Sequence, residues 1–241
     1  MNRHNTASFQ KGFTLVEMAI VMVIIGLLIG GILKGQEILA ATKINTTVKE
    51  IQAIDGAFSL FYQKYGMLPG DMTTPATFLP NCTGACNQAG DNDENYEAQY
   101  QAALASTDER FTAFIHLAAA GLVSGIENTA TIEVGRSVMP SAVGGAYTVG
   151  TFGANTTSPN FYQGGSYLGM IKSIATDGTI GRNPIMTSSV AAIDRKIDDG
   201  KAKTGLLIIT SCAACYDAVA GTYNENYTTT ATEFMYKLNV P

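Results

Sequence analysis

The first long apolar stretch of the chain runs from residue 13 to residue 33 and reads FTLVEMAIVMVIIGLLIGGIL. Only Thr14 and Glu17 within it are appreciably polar. A helix rises about 1.5 Å per residue, so this stretch spans about 31 Å, close to the hydrocarbon core of a bilayer at about 30 Å. The pattern therefore predicts a transmembrane helix over residues 13–33.

Beyond residue 33 the apolar positions recur at spacings of three and four, which places them on one face of a helix. These positions are Ile44, Val48, Ile51, Ile54, Phe58, Phe61 and Tyr65. Gly66 and Pro69 follow and are expected to end the helix. We therefore predict that residues 34–65 continue the first helix as an amphipathic segment that covers a globular core.

Residues 66–241 are predicted to form that globular domain. Ser106 and Glu109 have the spacing of a capping box, which places the start of a second helix there. Later, short β-like runs alternate with Gly, Asn and Pro; they cover residues 146–152, 167–174, 205–210 and 233–238, with a short helix at 190–197. The expected fold class is α+β, with the long N-terminal helix packed on a C-terminal antiparallel sheet.

A short polar leader, residues 1–12, precedes the apolar run and carries Arg3 and Lys11. Positive charges beside a transmembrane helix hold that end in the cytoplasm, so the globular domain is expected to face the periplasm or the outside. The apolar run is longer than that of a secretory signal peptide, and no convincing small-residue cleavage site follows it. The expected location is the inner membrane, with a single pass.

The overall charge and the absence of familiar motifs in the sequence exclude several classes of function. The formal net charge is −5 and the pI is near 5.0, which argues against nucleic acid as a partner of the folded domain. No phosphate-binding loop, nucleophile elbow or zinc-protease motif occurs in the sequence. We therefore do not predict an enzyme.

The cysteines form two close pairs in the sequence, Cys82 with Cys86 and Cys212 with Cys215. Disulfides are the expected state outside the cytoplasm. Four cysteines allow three pairings, and a zinc site would need all four to converge from distant parts of the chain. We predict disulfides, with their connectivity open.

Two acidic groups are candidate calcium sites, and no other cofactor is expected. Asp91 and Asp93 lie in a loop-like segment, and Asp198 and Asp199 precede a glycine. Hard oxygen ligands of this kind suit calcium. The commoner outcome for such groups is a solvated loop or, for Asp198 and Asp199 beside basic residues such as Arg195, a salt-bridged surface.

The segment KGFTLVE at residues 11–17 resembles the processing site of type IV pilins and of type II secretion pseudopilins. The resemblance implies that a prepilin peptidase cuts between Gly12 and Phe13 and methylates the new N-terminal Phe13. It also implies a role for Glu17, whose carboxylate in an apolar run calls for a partner. In this family the residue neutralises the N-terminal amine of a neighbouring subunit during assembly.

The resemblance implies a structural subunit of a type IV pilus or pilus-like filament, built from copies of itself or from mixed pilins. A membrane platform protein and a cytoplasmic ATPase would drive assembly, and the filament would lie in the periplasm or on the cell surface. The alternative is a pseudopilin of a type II secretion system, which the Leu-Pro-Gly-Asp at residues 68–71 favours. A membrane-anchored binding or enzyme domain on an unrelated stalk is the remaining alternative, and it predicts a monomer with its leader intact.

Overall fold

The computed structural model describes residues 12, 14–96, 102–152, 164–175, 177–182, 185–210, 212–217, 219–227 and 233–240. Its helices are α1 (Leu15–Tyr65), α2 (Pro75–Phe78), α3 (Glu109–Ala119) and α4 (Thr187–Ile197). Its strands are β1 (Ala146–Phe152), β2 (Gly165–Ile171), β3 (Ser173–Ile174), β4 (Ile180–Gly181), β5 (Leu207–Ile209) and β6 (Phe234–Lys237). The expected α+β class, with a long N-terminal helix and a C-terminal antiparallel sheet, is confirmed.

The main sheet is antiparallel and has the strand order β1-β2-β6-β5. β1 and β2 pair along their whole length, beginning with Ala146 opposite Ile171. β6 lies between β2 and β5, and Leu207 of β5 faces Tyr236 of β6. The C-terminal strand is thus a central strand of the sheet. β3 and β4 form a separate two-stranded ladder.

The chain divides into two compact units, Met1–Thr42 and Lys43–Pro241, and α1 runs through both. In the second unit α1 buries one face, formed by Thr47, Val48, Ile51, Ile54, Ala57, Phe58 and Phe61. The ring of Phe58 packs edge-on against Phe114 of α3, with 6.1 Å between the ring centroids. The apolar stripe predicted from the spacing is therefore the face that covers the core.

Hydrogen bonds fix this part of α1 to the sheet and to the C-terminal residues. The carboxylate of Glu50 accepts from the hydroxyl of Tyr147 on β1 at 2.9 Å and from the backbone N–H of Ala142 at 3.1 Å. That of Asp55 accepts from the backbone N–H of Asn239 at 2.7 Å. The register of the helix against the sheet is therefore set by polar contacts as well as by apolar packing.

The predicted capping box at Ser106 and Glu109 is wrong, because α3 begins at Glu109 with Asp108 as its N-cap. The carboxylate of Asp108 accepts from the backbone N–H of Arg110 at 2.9 Å and also pairs with the Arg110 guanidinium. Glu109 is buried, and its carboxylate accepts from the backbone N–H of Asp91 at 3.3 Å. The carboxylate of Glu109, which a capping box would need, is therefore engaged in a tertiary contact instead.

The cysteines are joined to their near neighbours. Cys82 pairs with Cys86 and Cys212 pairs with Cys215, with Cα atoms 5.0 Å and 5.3 Å apart. Each bridge closes a short loop that overlaps a single turn of 3-10 helix, at Gly84–Asn87 for the first and within residues 213–215 for the second. The disulfides therefore act locally and do not link distant elements.

Candidate functional site

The first turn of α1 is closed by reciprocal hydrogen bonds between Thr14 and Glu17. The hydroxyl oxygen of Thr14 accepts from the backbone N–H of Glu17 at 3.2 Å. The carboxylate of Glu17 accepts from the backbone N–H of Thr14 at 2.8 Å and from its hydroxyl at 2.9 Å. This arrangement is a capping box, which satisfies donors at the helix start that would otherwise have no partner.

Sequence reasoning missed the capping box, although its signal, Thr-x-x-Glu, is present in the sequence. Because of the box, Glu17 has hydrogen-bond donors within its own chain. Both donors are neutral, and among the described residues none of the ion pairs involves Glu17. Its negative charge is therefore not balanced by a cation in the described part of the chain.

The helix that follows presents an apolar surface on all sides. Every side chain from Leu15 to Leu33 is exposed, and 91 % of the surface of Leu15 and 73 % of that of Leu27 is accessible. Among the described residues, α1 is long and apolar enough to cross a membrane. An exposed apolar surface of this extent indicates contact with lipid or with other apolar surfaces. Together with its N-terminal position, the helix supports membrane anchoring.

Glycines on this surface are not required by packing within the chain. A Cβ atom built at Gly26, Gly30 or Gly31 would meet no atom within 4 Å, and α1 is continuous through all three. Glycine lowers the stability of a helix relative to alanine. In membranes, small residues on a helix permit the close approach of a second helix. The pattern is thus consistent with a surface that packs against other helices.

The predicted processing residues are only partly within the described residues. Gly12 is described and exposed. Phe13, the predicted new N-terminus and methylation site, lies outside the described residues, as do Arg3 and Lys11. Cleavage between Gly12 and Phe13 therefore stays a prediction from the motif.

The first candidate calcium site has a different composition from the one predicted. Carboxylate oxygens of Asp71, Asp91 and Glu109 lie within 4.8 Å of one another, whereas Asp93 is not part of this group. Asp71 is buried and accepts from the backbone N–H groups of Asn92 at 2.5 Å and of residue 94 at 2.9 Å. Burial is the main cause that raises the pKa of Asp71. The loop is therefore wrapped around a buried carboxylate.

The second candidate site brings Asp198 and Asp199 together with Asp194 of α4. The expectation of a salt-bridged surface is wrong for Asp198 and Asp199, because none of the ion pairs among the described residues involves either of them. Asp194 is fully buried and accepts from the hydroxyl of Tyr223 at 2.7 Å. Arg195 forms its ion pair with Glu225. Sequence patterns could not identify Asp194 as buried, because its alternation with basic residues is typical of a solvated helix.

A family model for the prokaryotic N-terminal methylation motif matches residues 8–33. The fold is α+β, and the exposed apolar N-terminal helix supports membrane anchoring. The matched motif is the signature of type IV pilins and pseudopilins, and this chain carries it. It therefore supports a type IV pilin-like or pseudopilin subunit. No curated protein and no solved structure matches the chain significantly.

Proposed function

We propose that the chain is a structural subunit of a type IV pilus or pilus-like filament, processed between Gly12 and Phe13 and assembled from the inner membrane. The observation that supports this most strongly is a methylation motif that continues directly into an exposed apolar helix. Such a surface is unfavourable in water, so it requires lipid before assembly and other helices afterwards. A filament whose core is made of these helices meets both requirements.

Glu17 is proposed to bind the α-amine that cleavage creates on Phe13 of a neighbouring subunit. Its carboxylate has only neutral donors among the described residues, from Thr14. A charge in an apolar environment is costly unless it is paired with an opposite charge. The proposed pairing would therefore favour insertion of a subunit at a position where its Glu17 carboxylate meets the free α-amine of a neighbouring subunit.

The partners follow from the same proposal. Prepilin peptidase would remove the leader, and a membrane platform protein with a cytoplasmic ATPase would drive assembly. The leader would lie in the cytoplasm, and the folded domain would end in the periplasm or on the cell surface. Proteins with this motif are structural and generally non-enzymatic, and we propose the same for this chain.

A second candidate is a pseudopilin that works as a periplasmic piston in type II secretion. The turn at residues 68–71 favours it, since this turn resembles a stretch common after the stem helix of pseudopilin-like proteins. Both candidates require the same processing and the same apolar helix. They differ in where the filament is found.

The test is mass spectrometry of the N-terminal peptide, in sheared surface material and in cell envelopes separately. N-methylated Phe13 in the sheared fraction is expected for a surface pilus. The same peptide found only in the envelope would favour the pseudopilin. A peptide that still begins at the leader in both fractions would overturn both proposals and favour an anchored domain.

Two glycine variants control this experiment. Gly12→Val places a bulky side chain at the proposed cleavage position and is expected to abolish the peptide that begins at Phe13. Gly26→Ala changes a glycine further along the same segment, where a Cβ atom meets nothing within 4 Å. Cleavage of the Gly26→Ala chain is expected to be normal. A peptide that still begins at Phe13 in the Gly12→Val chain would show that Gly12 is not required for cleavage.

A further inference from the structure

The exposed side of α1 in the second unit carries positive charges only. Between residues 43 and 65 the exposed charged residues of the helix are Lys43, Lys49 and Lys64. The acidic residues of the same stretch, Glu50 and Asp55, are half-buried and are bonded within the domain. The whole chain has a net charge of −5, so this side of the helix is opposite in sign to the protein as a whole.

The middle of this side is uncharged and partly apolar. Ala53, Gly56 and Leu60 are exposed there at spacings of three and four, and 55 % of the surface of Leu60 is accessible. The solvent side of a helix in a globular domain normally carries charged and polar residues. An exposed side of this composition therefore favours contact with another protein surface.

Lys49 also lines a groove beside α1. The groove has a volume of about 480 Å³, and Leu122, Val123 and Met139 contribute to its walls. Lys49 belongs to none of the ion pairs found within the described ranges. A carboxylate that enters the groove would be partly shielded from water, where an ion pair is stronger than on an open surface.

Negative charge is exposed on the loop that precedes α3. Asp91, Asp93 and Glu94 are all exposed, and no ion pair in the described part of the chain includes any of them. The backbone of this loop is fixed by the buried carboxylate of Asp71, which accepts from the N–H groups of residues 92 and 94. The three exposed carboxylates are therefore presented by a backbone that is held in place.

The acidic loop lies beside the end of α1 and not beside Lys49. The carboxylate of Glu94 accepts from the hydroxyl of Tyr62 at 2.9 Å. Tyr62 follows Lys49 by 13 residues, which corresponds to about 20 Å along the helix. The loop and Lys49 of one chain are therefore too far apart to pair with each other.

We propose that the exposed side of α1 around Lys49 binds the acidic loop, residues 91–94, of a second copy of this chain. The two surfaces are complementary in charge, and the described residues provide neither of them with an ion pair in its own chain. The proposed function already requires copies of the chain to associate. The inference rests on that proposal and adds a contact between the folded domains.

The contact is head-to-tail. In the proposed filament all copies point the same way, so Lys49 of one copy meets the loop of the next only after a shift of about 20 Å along α1. Each added copy then leaves one lysine side and one acidic loop open at the two ends of the row. A heterologous contact of this kind continues as an open filament and does not close into a dimer.

Charge reversal tests the contact in cells that assemble the filament. Lys49→Glu and Asp93→Lys each place like charges opposite one another, and each is expected to lower the amount of sheared filament at least about fivefold. The chain with both substitutions restores an opposite pair and is expected to recover filaments to within about twofold of the wild type. Lys196→Glu is the matched control, because Lys196 is an exposed lysine of α4 outside the described ion pairs.

The folding of each variant is checked in the same cells. Immunoblots of envelopes should show every variant in the wild-type amount, so that a loss of filament reports on assembly. If Lys49→Glu does not accumulate, Lys49→Ala replaces it, since alanine removes the charge and is well tolerated in a helix.

Cross-linking locates the contact directly. All four cysteines of the chain are joined in disulfides, so a maleimide reacts only with introduced cysteines. Filaments of a chain with Lys49→Cys and Asp93→Cys are expected to give a ladder of dimers, trimers and longer species with a short bismaleimide. Lys49→Cys with Asp217→Cys is the control and is expected to stay monomeric, since Asp217 is an exposed aspartate of a different loop.

Two results would overturn the proposal. The first is a wild-type amount of filament from both single charge reversals. The second is cross-linking of Lys49→Cys with Asp93→Cys that fails in filaments or stops at dimers. In either case filaments with N-methylated Phe13 would still form, so the proposed function would stand. A wild-type chain that gives no such filaments would instead overturn the proposed function, and this contact with it.

Discussion

The imidazole of His116 accepts the backbone N–H of Gly70 at its Nδ1 atom, at a distance of 2.8 Å. Because Nδ1 is an acceptor, the proton of the neutral ring lies on Nε2, which donates to the carbonyl oxygen of Cys86 at 2.8 Å. The ring is fully buried. It therefore joins the turn after α1 to the loop of the first disulfide, and it does so only in its neutral form.

This relationship predicts a loss of stability in mild acid. Burial lowers the pKa of His116 to about 4, against about 6.5 for an unfolded histidine. Between these pH values the unfolded chain binds more protons than the folded one. The contribution of the neutral His116 ring to the free energy of unfolding is therefore complete above about pH 6.5 and is lost as the pH falls towards 4. The loss amounts to about 3 kcal/mol. Urea unfolding at a series of pH values measures it.

His116→Gln separates this effect from other titrations. A glutamine amide can accept from Gly70 and donate to Cys86, but it does not titrate in this range. The variant is expected to lose less stability than the wild type between pH 7 and pH 4. If both chains lose the same amount, the acid sensitivity does not come from His116.

A second prediction concerns two glycines with positive φ angles in the turn after α1. A Cβ atom at Gly70 (φ +96°) would collide with the carbonyl oxygen of Glu109 and lie 3.2 Å from the backbone nitrogen of Ala113. At Gly66 (φ +69°) it would meet nothing within 4 Å. Gly66→Ala should therefore cost about 1 kcal/mol, from backbone strain alone, and Gly70→Ala about 3 kcal/mol or more.

Thermal unfolding of the two alanine variants measures the difference. Gly66 serves as the control, because it has the same type of backbone conformation without the close contact. Equal costs for the two substitutions would mean that the turn does not approach α3 as closely as the structure shows.

Local sequence patterns were sufficient to predict the long helix and to recognise the N-terminal motif. The buried face of α1 follows from apolar residues at spacings of three and four, because a helix of this length repeats its pattern several times. Cleavage at Gly12 and the assembly role of Glu17 came from contiguous residues, and they stay predictions. The end of the helix at Tyr65 follows from the glycine that comes next.

Other features depend on contacts between residues that are distant in sequence. Asp194 and Tyr223 are separated by 29 positions, and only the fold makes this pair a buried one. The start of α3 was misplaced because Ser106 and Asp108 are both good N-cap residues. Asp108 becomes the N-cap because it contacts Arg110 and because Glu109 is buried. No local pattern contains that information.

A third prediction separates the two roles of Glu17. Glu17→Gln keeps an oxygen that can accept from Thr14 but removes the charge. Thr14→Ala removes the hydroxyl of the capping box but keeps the charge. If the charge acts in assembly, Glu17→Gln should abolish filaments, whereas Thr14→Ala should weaken the first turn of α1 by about 1 kcal/mol and still assemble.

Immunoblots of sheared filaments and of envelopes measure assembly, and both variants should be present in the envelope in wild-type amounts. Failure of Thr14→Ala together with normal assembly of Glu17→Gln would reverse the interpretation. The capping box would then be the function of Glu17, and its charge would be incidental.

The last prediction compares two tyrosine–glutamate hydrogen bonds of equal length. The hydroxyl of Tyr147 donates to Glu50 and that of Tyr62 donates to Glu94, both at 2.9 Å. The first pair is partly buried between α1 and β1, and the second is at the surface. A hydrogen bond to a charged group is worth more where water is excluded, so burial should decide the energy.

Double-mutant cycles with Tyr→Phe and Glu→Ala measure each coupling energy by chemical unfolding. About 2 kcal/mol is expected for Glu50 with Tyr147, and about 0.5 kcal/mol or less for Glu94 with Tyr62. The comparison is internal, because residue types and distance are matched, and the double-mutant cycle cancels the separate hydrogen bond from Ala142 to Glu50. A coupling for Glu50 and Tyr147 as small as that of the surface pair would mean that the polar contact does not hold α1 to the sheet. In that case apolar packing at Phe58 and its neighbours would carry the attachment alone.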